Sequence, residues 1–302
     1  MAKKQPKALE KGDKVAIVCP AGQMEEQRIR NCVQQLHALG LEVVEGTTVG
    51  KKKTYFSGSD KDRAEDLQRM LDDKSIGAII CGRGGYGISR IIDRLDFHQF
   101  KKHPKWIVGY SDITLLHTHV NRNTDIATIH GPMAGSFDSY PESEYPSTVF
   151  PSLTDTPLKY KIEPHERNSI GHAEGELVGG NLCMLAHSIG SVSEPKTKGK
   201  ILFIEDVGEY LYSADRMFLQ LKRAGWLEHL KGLIVGTFSD MKDTAIPFRK
   251  DMYSSFKEHL RSYGFPVVFD FPVGHTERNV ALKIGVKYKL TVEEDAVVLK
   301  EK

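Results

Sequence analysis

Long hydrophobic runs and clustered cysteines are both missing from this sequence of 302 residues. No run approaches the roughly 18–20 consecutive apolar residues that a membrane-spanning helix requires. The apolar run Val15–Val18, which follows a lysine-rich N-terminus, has only the length of a strand, so we expect no secretion signal. The few cysteines are scattered without metal-binding spacing: Cys19, Cys32, Cys81 and Cys183. This usage predicts free thiols in a reducing, cytoplasmic environment.

An excess of charge of either sign is missing as well. The 42 basic and 40 acidic side chains leave a formal net charge of +2, and short basic runs such as Lys51–Lys53 are typical of solvated surfaces. The sequence therefore predicts no nucleic-acid partner. A metal site is not indicated either, because there is no His-Glu-x-x-His pattern, and His117 and His119 point to different sides of a predicted helix.

The first half of the chain alternates short apolar runs with amphipathic helices. Apolar residues at intervals of three and four predict helices over residues 25–39 and, after a capping box at Ser59–Asp62, through Leu71. Such alternation is typical of an α/β fold, with a doubly wound, mostly parallel sheet and helices on both faces. The predicted strands of this sheet are residues 14–19, 41–44, 78–81, 106–108 and 127–129.

The periodicity fades between residues 135 and 168, where serine and proline accumulate. This predicts an inter-domain connection with a boundary near residue 165, between an N-terminal domain of residues 1–165 and a smaller C-terminal mixed β/α domain of residues 166–302. In the second half, strands are predicted over residues 200–205, 233–236 and 267–269. An alternating run from Ile284 to Leu290 is predicted to pair with Ala296–Leu299 as a closing hairpin.

The stretch Trp106–His117 contains the first candidate for chemistry. Its apolar run stops at Gly109, Ser111 follows two residues later, and a predicted helix comes next. A serine at a strand–turn–helix junction is lifted clear of the sheet, over the N-terminus of the helix. The match to the nucleophile-elbow pattern is incomplete, because Ile113 occupies the position of the second glycine. Capping of the helix by the serine is the competing interpretation.

A serine hydroxyl is a good nucleophile only when a base takes its proton and another group orients that base. His275 is the candidate base, because it follows a glycine just after the predicted strand at residues 267–269. Glu205 ends a predicted strand and is a candidate carboxylate, with Asp206 and Glu209 as equal rivals on residue type. Catalytic triads are recognised by geometry rather than by chain order, so the pattern alone leaves these assignments open.

The segment Gly82–Gly87 has four glycines in six residues and follows a predicted strand. Such a loop can cradle a phosphate, present backbone amides to a reacting atom, or permit tight turns. It lacks the Gly-Lys-Ser/Thr ending of a Walker loop, and its Gly-x-Gly-x-x-Gly spacing follows a later strand than a dinucleotide fingerprint requires. Backbone amides that form an oxyanion hole are the interpretation that connects this loop with Ser111.

Taken together, these segments resemble the LD-carboxypeptidase family of serine peptidases. Its best-known members remove the terminal D-alanine from murein tetrapeptides, and it also includes the microcin-immunity peptidases. The similarity runs in family order from about residue 13 to residue 290, which is nearly the whole chain. The matching stretches are Cys81–Gly87, Gly109–Thr114, His130–Met133, Gly175–Asn181, Phe203–Glu209 with Tyr212 and Asp215–Met217, and Gly274–His275.

The resemblance implies that Ser111 is the nucleophile, Glu205 the carboxylate and His275 the base. It also implies a flavodoxin-like or class I amidotransferase-like N-terminal domain that carries the serine, and a C-terminal domain that carries the other two residues. The site then lies in the cleft between the domains. The family usually forms homodimers, and neither a metal nor an organic cofactor is expected.

For the substrate, the resemblance implies an oxyanion hole formed by the amides of Asp112 and of Gly84 or Gly85. Recognition of a free carboxylate favours an arginine, and Arg83 is the candidate from its position in the glycine loop. The third residue of the murein stem peptide stays open. An acyl-sulfamoyl or acyl-phosphoramidate peptide–nucleotide antibiotic is the alternative substrate within the family. A non-catalytic module that binds a nucleotide or peptide is the alternative of another class.

Overall fold

The computed structural model describes residues 3–302, and within that range it places thirteen strands in two sheets and nine α-helices. The strands are β1 (Lys14–Val18), β2 (Glu42–Glu45), β3 (Ile76–Cys81), β4 (Trp106–Gly109), β5 (Thr128–His130), β6 (Lys159–Ile162), β7 (Gly171–Asn181), β8 (Ile201–Val207), β9 (Gly232–Ser239), β10 (Val267–Val268), β11 (Leu282–Ile284), β12 (Lys287–Val292) and β13 (Val297–Glu301). The helices are α1 (Arg30–Ala38), α2 (Asp60–Asp72), α3 (His98–Lys102), α4 (Thr114–Thr124), α5 (Ser136–Ser139), α6 (Val149–Ser152), α7 (Leu182–Ser188), α8 (Leu211–Arg223) and α9 (Met252–His259).

The first sheet confirms the predicted α/β class. Its strand order is β11-β5-β4-β3-β1-β2, and every pair is parallel except β11 with β5. Successive residues of β1 enter different cores, because side chains alternate across a strand. Val15 and Ile17 belong to one buried cluster, whereas Ala16 and Val18 belong to the other. Strands covered on both faces read as continuous apolar runs, which is why the sequence identified them.

The second sheet is mixed, as the sequence indicated for the second half of the chain. Its order is β10-β9-β8-β7-β12-β13-β6. The first four strands are parallel to one another, and the last three are joined by antiparallel pairing. The predicted closing hairpin is β12 with β13, with Val292 opposite Val297. The alternating run that predicted it divides into two strands, since residues up to Ile284 form β11 in the other sheet.

Two strands pair with the sheet on the other side of the predicted domain boundary near residue 165. β6 precedes that residue and pairs with β13 in the second sheet, whereas β11 follows it and pairs with β5 in the first. The strand at residues 127–129 is the last one that the sequence assigns to the first sheet. That prediction was wrong, because β11 pairs with β5 and forms the edge of this sheet. Pairing between strands about 150 residues apart leaves no local signal in the sequence. The division into domains of residues 1–165 and 166–302 stays a prediction.

Local predictions agree with the structure. Ser59 and Asp62 form the expected capping box at the start of α2, each side chain accepting from the other's backbone N–H. The cysteines at positions 19, 32, 81 and 183 are free, and all but Cys183 are buried. Within residues 3–302, no helix has the length and apolar character needed to span a membrane.

Candidate active site

Ser111 occupies a strained turn between β4 and α4. Its φ angle is 63°, in the left-handed region that costs an L-residue roughly 1–2 kcal/mol. A single turn of 3-10 helix, Ser111–Ile113, connects it to α4. The N-cap residues here are Tyr110 and Ile113, and neither makes a side-chain capping bond, so the structure gives no support to the capping interpretation. Backbone strain of this kind persists only where the surrounding structure imposes it, and strained residues are often found at functional sites.

His275 and Glu205 form a hydrogen-bonded pair near the carboxyl end of β8 in the second sheet. His275 Nδ1 donates to Glu205 Oε2 over 2.7 Å, and the glutamate side chain is fully buried. Because Nδ1 carries this proton, the neutral ring keeps the lone pair of Nε2 free. Among residues 3–302, His275 Nε2 is buried without a hydrogen-bond partner. This pair has the geometry of a base and the group that orients it.

The imidazole of His275 lies against the residue that precedes Ser111. The ring of Tyr110 contacts that of His275 edge to face, with 4.9 Å between the centroids. Tyr110 belongs to the first sheet's β4–α4 turn, whereas His275 follows β10 of the second sheet. The structure therefore places the His275–Glu205 pair of the second sheet next to the turn that carries Ser111, and the assignment of the three residues as a triad stays a prediction.

Of the three carboxylates that the residue types left open, Glu205 alone is bonded to His275 among the described residues. Asp206 turns away and accepts hydrogen bonds from Asn181 Nδ2 over 2.8 Å and from the Cys183 N–H over 3.0 Å. The pairing of β8 with β9 shifts register between Ile204 and Asp206, at Glu205 itself. Such a bulge re-aims side chains, and here the side chains of Glu205 and Asp206 serve different partners.

Burial and neighbouring charge have opposite effects on the pKa of His275. Burial lowers the pKa of its imidazole. The charge and hydrogen bond of Glu205, with a smaller contribution from Asp206, together outweigh burial, so the net pKa lies above its ordinary value of 6.5. Burial, followed by the neighbouring charge of Glu205, raises the pKa of Asp206 to about 7. Glu205 therefore stabilises the imidazolium form that a general base acquires when it takes a proton.

The glycine loop after β3 lies directly against Ser111. A methyl group placed on Gly84 would be 3.0 Å from Ser111 Cβ and 3.3 Å from its Oγ, so only glycine leaves the hydroxyl unhindered. Within residues 3–302, the backbone N–H groups of Gly84, Gly85 and Asp112 donate to no protein acceptor. The Gly84 carbonyl accepts from the Gly22 N–H over 2.9 Å, which ties the loop to the one after β1. Free amides beside a nucleophile are what an oxyanion hole requires.

Arg63 supports this loop, and sequence reasoning missed it. Its buried guanidinium donates through Nη1 to the carbonyls of Pro20, at 2.8 Å, and Gly87, at 3.0 Å. The carboxylate of Asp112, in turn, accepts from the Ile88 N–H over 2.9 Å. The glycine loop is thus held at its end by an arginine of α2 and by the residue that follows Ser111. An arginine within an amphipathic helix gives no sequence signal for such a role.

The three histidines on and near α4 have different partners, and His117 bonds to the strand end that precedes Ser111. His117 Nε2 donates to the Gly109 carbonyl over 2.8 Å, and burial lowers the pKa of His117 to about 4, so the ring is neutral. His119 bonds instead to Ser193 Oγ at 2.9 Å, which confirms that the two side chains point to different sides. His130, at the end of β5, is buried with its ring 4.9 Å from that of Phe203.

Arg83 is exposed in the glycine loop. Its Nη1 donates to the Gln23 carbonyl over 2.9 Å. The side chain lines a cavity of about 180 Å³ whose wall also includes Tyr110. Arg83 therefore shares a cavity with the residue that precedes Ser111, and its contact with a substrate carboxylate stays a prediction.

A strained serine after β4 and a buried imidazole–carboxylate pair next to its turn are the kinds of group that acyl transfer by a serine hydrolase uses. Two family models match the chain: the N-terminal domain of LD-carboxypeptidases over residues 15–131 and their C-terminal domain over residues 174–290. The chain therefore belongs to the LD-carboxypeptidase family and is a hydrolase, as the sequence motifs indicated.

Relatives cover nearly the whole chain. A probable murein peptide carboxypeptidase of Bacillus subtilis is 36% identical, over 98% of this chain and 94% of the relative. The crystal structure of a muramoyltetrapeptide carboxypeptidase from Oxalobacter formigenes superposes with a TM-score of 0.87, at 29% identity, over 95% of this chain and 98% of that one. The microcin C7 self-immunity protein MccF, in complex with aspartyl sulfamoyl adenosine, has a TM-score of 0.86 at 24% identity and covers 98% of both chains. These likenesses confirm the two-domain α/β fold.

Proposed function

We propose that this protein is a serine LD-carboxypeptidase that releases the terminal D-alanine of murein tetrapeptides by acyl-enzyme chemistry. The observation that carries the proposal is the imidazole of His275, which Glu205 orients, which contacts the residue before Ser111, and whose buried Nε2 has no hydrogen-bond partner among residues 3–302. Family membership and the names of the relatives supply the substrate class.

In the first step, His275 Nε2 takes the proton of Ser111 Oγ, which attacks the carbonyl of the bond between the third residue and D-alanine. Glu205 holds the ring in the required tautomer and stabilises its positive charge. The imidazolium then gives its proton to the departing amine, and the acyl group stays on Ser111. Water, activated by the same histidine, hydrolyses the acyl-enzyme.

The negative charge that develops on the carbonyl oxygen needs donors that are already in place. The amides of Asp112 and of Gly84 or Gly85 are the proposed donors, since Gly84 lies against Ser111 and none of the three amides has a protein acceptor among residues 3–302. A preorganised donor of this kind is typically worth about 2.7–4 kcal/mol of transition-state stabilisation.

The function is tested by mass spectrometry of defined stem peptides before and after incubation with the protein. We expect the tetrapeptide to lose one alanine residue, and the pentapeptide, whose terminal bond joins two D-residues, to remain intact. Tetrapeptides with lysine and with diaminopimelate at the third position are compared in parallel. An acyl-sulfamoyl nucleotide serves as the rival substrate. Cleavage of the nucleotide conjugate with an unchanged tetrapeptide would assign the protein to the immunity-type reaction instead.

Replacing Gly84 by alanine tests the oxyanion loop. Its φ angle lies outside the left-handed region, so the backbone tolerates alanine, but the new methyl group crowds Ser111 Cβ at 3.0 Å. We expect kcat for D-alanine release to fall about 10- to 100-fold, as misplacement of reacting groups causes. Gly264→Ala is the matched control, since a methyl group there meets nothing within 4 Å. Equal kcat values in the two variants would show that the glycine loop takes no part in catalysis.

We further propose that the enzyme acts as a homodimer in the cytoplasm. Four free cysteines, three of them buried, suit a reducing compartment. The homodimer rests on the family resemblance. No nucleic-acid partner is proposed, because the charges of the two signs are nearly balanced.

A further inference from the structure

A small cavity opens beside Tyr110, on the side of the site away from the second sheet. It measures about 180 Å³ and is lined by Met24, Arg28, Gly82, Arg83, Tyr110, Met133, Gly135, Ser136, Ser139 and Tyr140. We propose that this cavity binds the departing D-alanine, with Arg28 and Arg83 together holding its carboxylate. This inference rests on the proposed function and adds to it the pocket and the residues that restrict cleavage to one small terminal residue.

Arg28 is held in place and yet keeps free donors. Its Nη2 donates to Ser139 Oγ and, over 3.4 Å, to the Gly135 carbonyl, while its Nε lies 3.6 Å from a carboxylate oxygen of Asp138. Among residues 3–302, Arg28 Nη1 has no acceptor. A guanidinium fixed on one side and unoccupied on the other is prepared for a carboxylate, because little side-chain freedom remains to be lost on binding.

Arg83 contributes from the glycine loop. Its Nη1 bonds to the Gln23 carbonyl, which leaves Nε and Nη2 without protein acceptors in the part of the chain that the structure describes. Arg28 and Arg83 come from the segments that follow β1 and β3, neighbouring strands of the first sheet. Both therefore reach the same cavity with unused N–H groups, and a carboxylate can accept from both guanidinium groups.

The cavity lies where the leaving group must go. Tyr110 forms part of its wall, precedes Ser111 in the chain, and contacts the ring of His275. The amine of the departing residue takes its proton from His275, so that residue must lie next to this wall. Its carboxylate, one carbon from the amine, then points into the cavity toward the arginines.

The size and lining of the cavity select a small residue. A drug-sized ligand typically occupies about 300–1,000 Å³, well above the 180 Å³ available here. Met24 and Met133 offer apolar surface to a methyl group. The cavity wall is tightly packed at Gly135. A methyl group added there would be 3.0 Å from Met24 Sδ and 3.1 Å from the Gly82 carbonyl oxygen. The volume of this leaving-group pocket matches a single small amino acid.

The test compares the tetrapeptide as free acid with the same peptide ending in D-alanine amide. Wild-type protein is expected to prefer the acid. Arg28→Ala and Arg83→Ala should each lower kcat/KM for the acid about 10- to 100-fold, as loss of hydrogen bonds to a charged group does, and leave the amide rate within about threefold. The amide rate in each variant also shows that the fold and the nucleophile are intact. Arg28→Lys should recover part of the preference for the acid.

Arg122→Ala, at an exposed arginine of α4 outside this cavity, is the matched control and should leave both rates unchanged. A wild-type protein that cleaves neither peptide would overturn the proposed function and the pocket with it. If wild-type protein prefers the acid and both arginine variants keep that preference, the pocket assignment alone is wrong. Parallel losses on acid and amide would also contradict it, because the arginines would then act on the fold or on the chemistry.

Discussion

Replacing Ser111 by alanine is expected to lower kcat for D-alanine release by about 10⁴- to 10⁶-fold, the range for loss of a nucleophile that works with a base. His275 would still be oriented by Glu205, but there would be no hydroxyl for it to deprotonate, so no acyl-enzyme would form. Residual turnover would come from water in a site that still offers the free amides of the glycine loop. The strained backbone at φ 63° is equally accessible to alanine and serine, so stability should change little.

The measurement is D-alanine released per unit time, with thermal unfolding and tetrapeptide binding followed on the same samples. We expect the variant to unfold within a few degrees of wild type and to retain its Kd for the tetrapeptide. Ser75→Ala, at an exposed serine in the loop before β3, is the matched control and should keep full activity. Undiminished release of D-alanine by folded Ser111→Ala protein would remove this serine from the mechanism.

Much of the fold was predictable because burial leaves a strong imprint on sequence. The parallel strands of the first sheet are covered on both faces and therefore read as uninterrupted apolar runs. The same runs placed Gly82–Gly87 and Ser111 at strand ends, where ligands bind in α/β sheets. The motifs of these loops carried the family resemblance, which the family models then confirmed.

Features that depend on distant pairing were not predictable. β11 joins β5 across about 150 residues, and nothing in the sequence of Leu282–Ile284 reveals its partner. The choice between Glu205 and Asp206 rested on resemblance alone, because a register shift in β8 determines where each side chain points. Arg28 and Arg63 escaped notice for a related reason. Each lies in or beside a helix, where an arginine is ordinary until the fold shows what its guanidinium contacts.

Glu205→Gln should lower kcat by about 10³- to 10⁴-fold, although the glutamine has nearly the same shape. A glutamine amide can donate to His275 Nδ1, which favours the tautomer with its proton on Nε2, where the lone pair is needed. It also leaves the imidazolium without the negative charge that stabilises it. Asp206→Asn is the matched control, since this neighbouring carboxylate bonds to Asn181 and Cys183 rather than to His275. Its effect on kcat should be much smaller.

The pH profile separates this role from simple damage to the fold. A general base works when it is unprotonated, so kcat/KM of the wild type should rise with pH through the raised pKa of His275, with its midpoint above 6.5. In Glu205→Gln the effect of burial remains while the charge and hydrogen bond that outweighed it are lost. The pKa of His275 should then fall, and the acid limb of the residual activity should move to lower pH. Loss of folded protein would scale the whole profile down without moving its midpoint. A midpoint that stays in place would show that Glu205 does not set the charge state of the base.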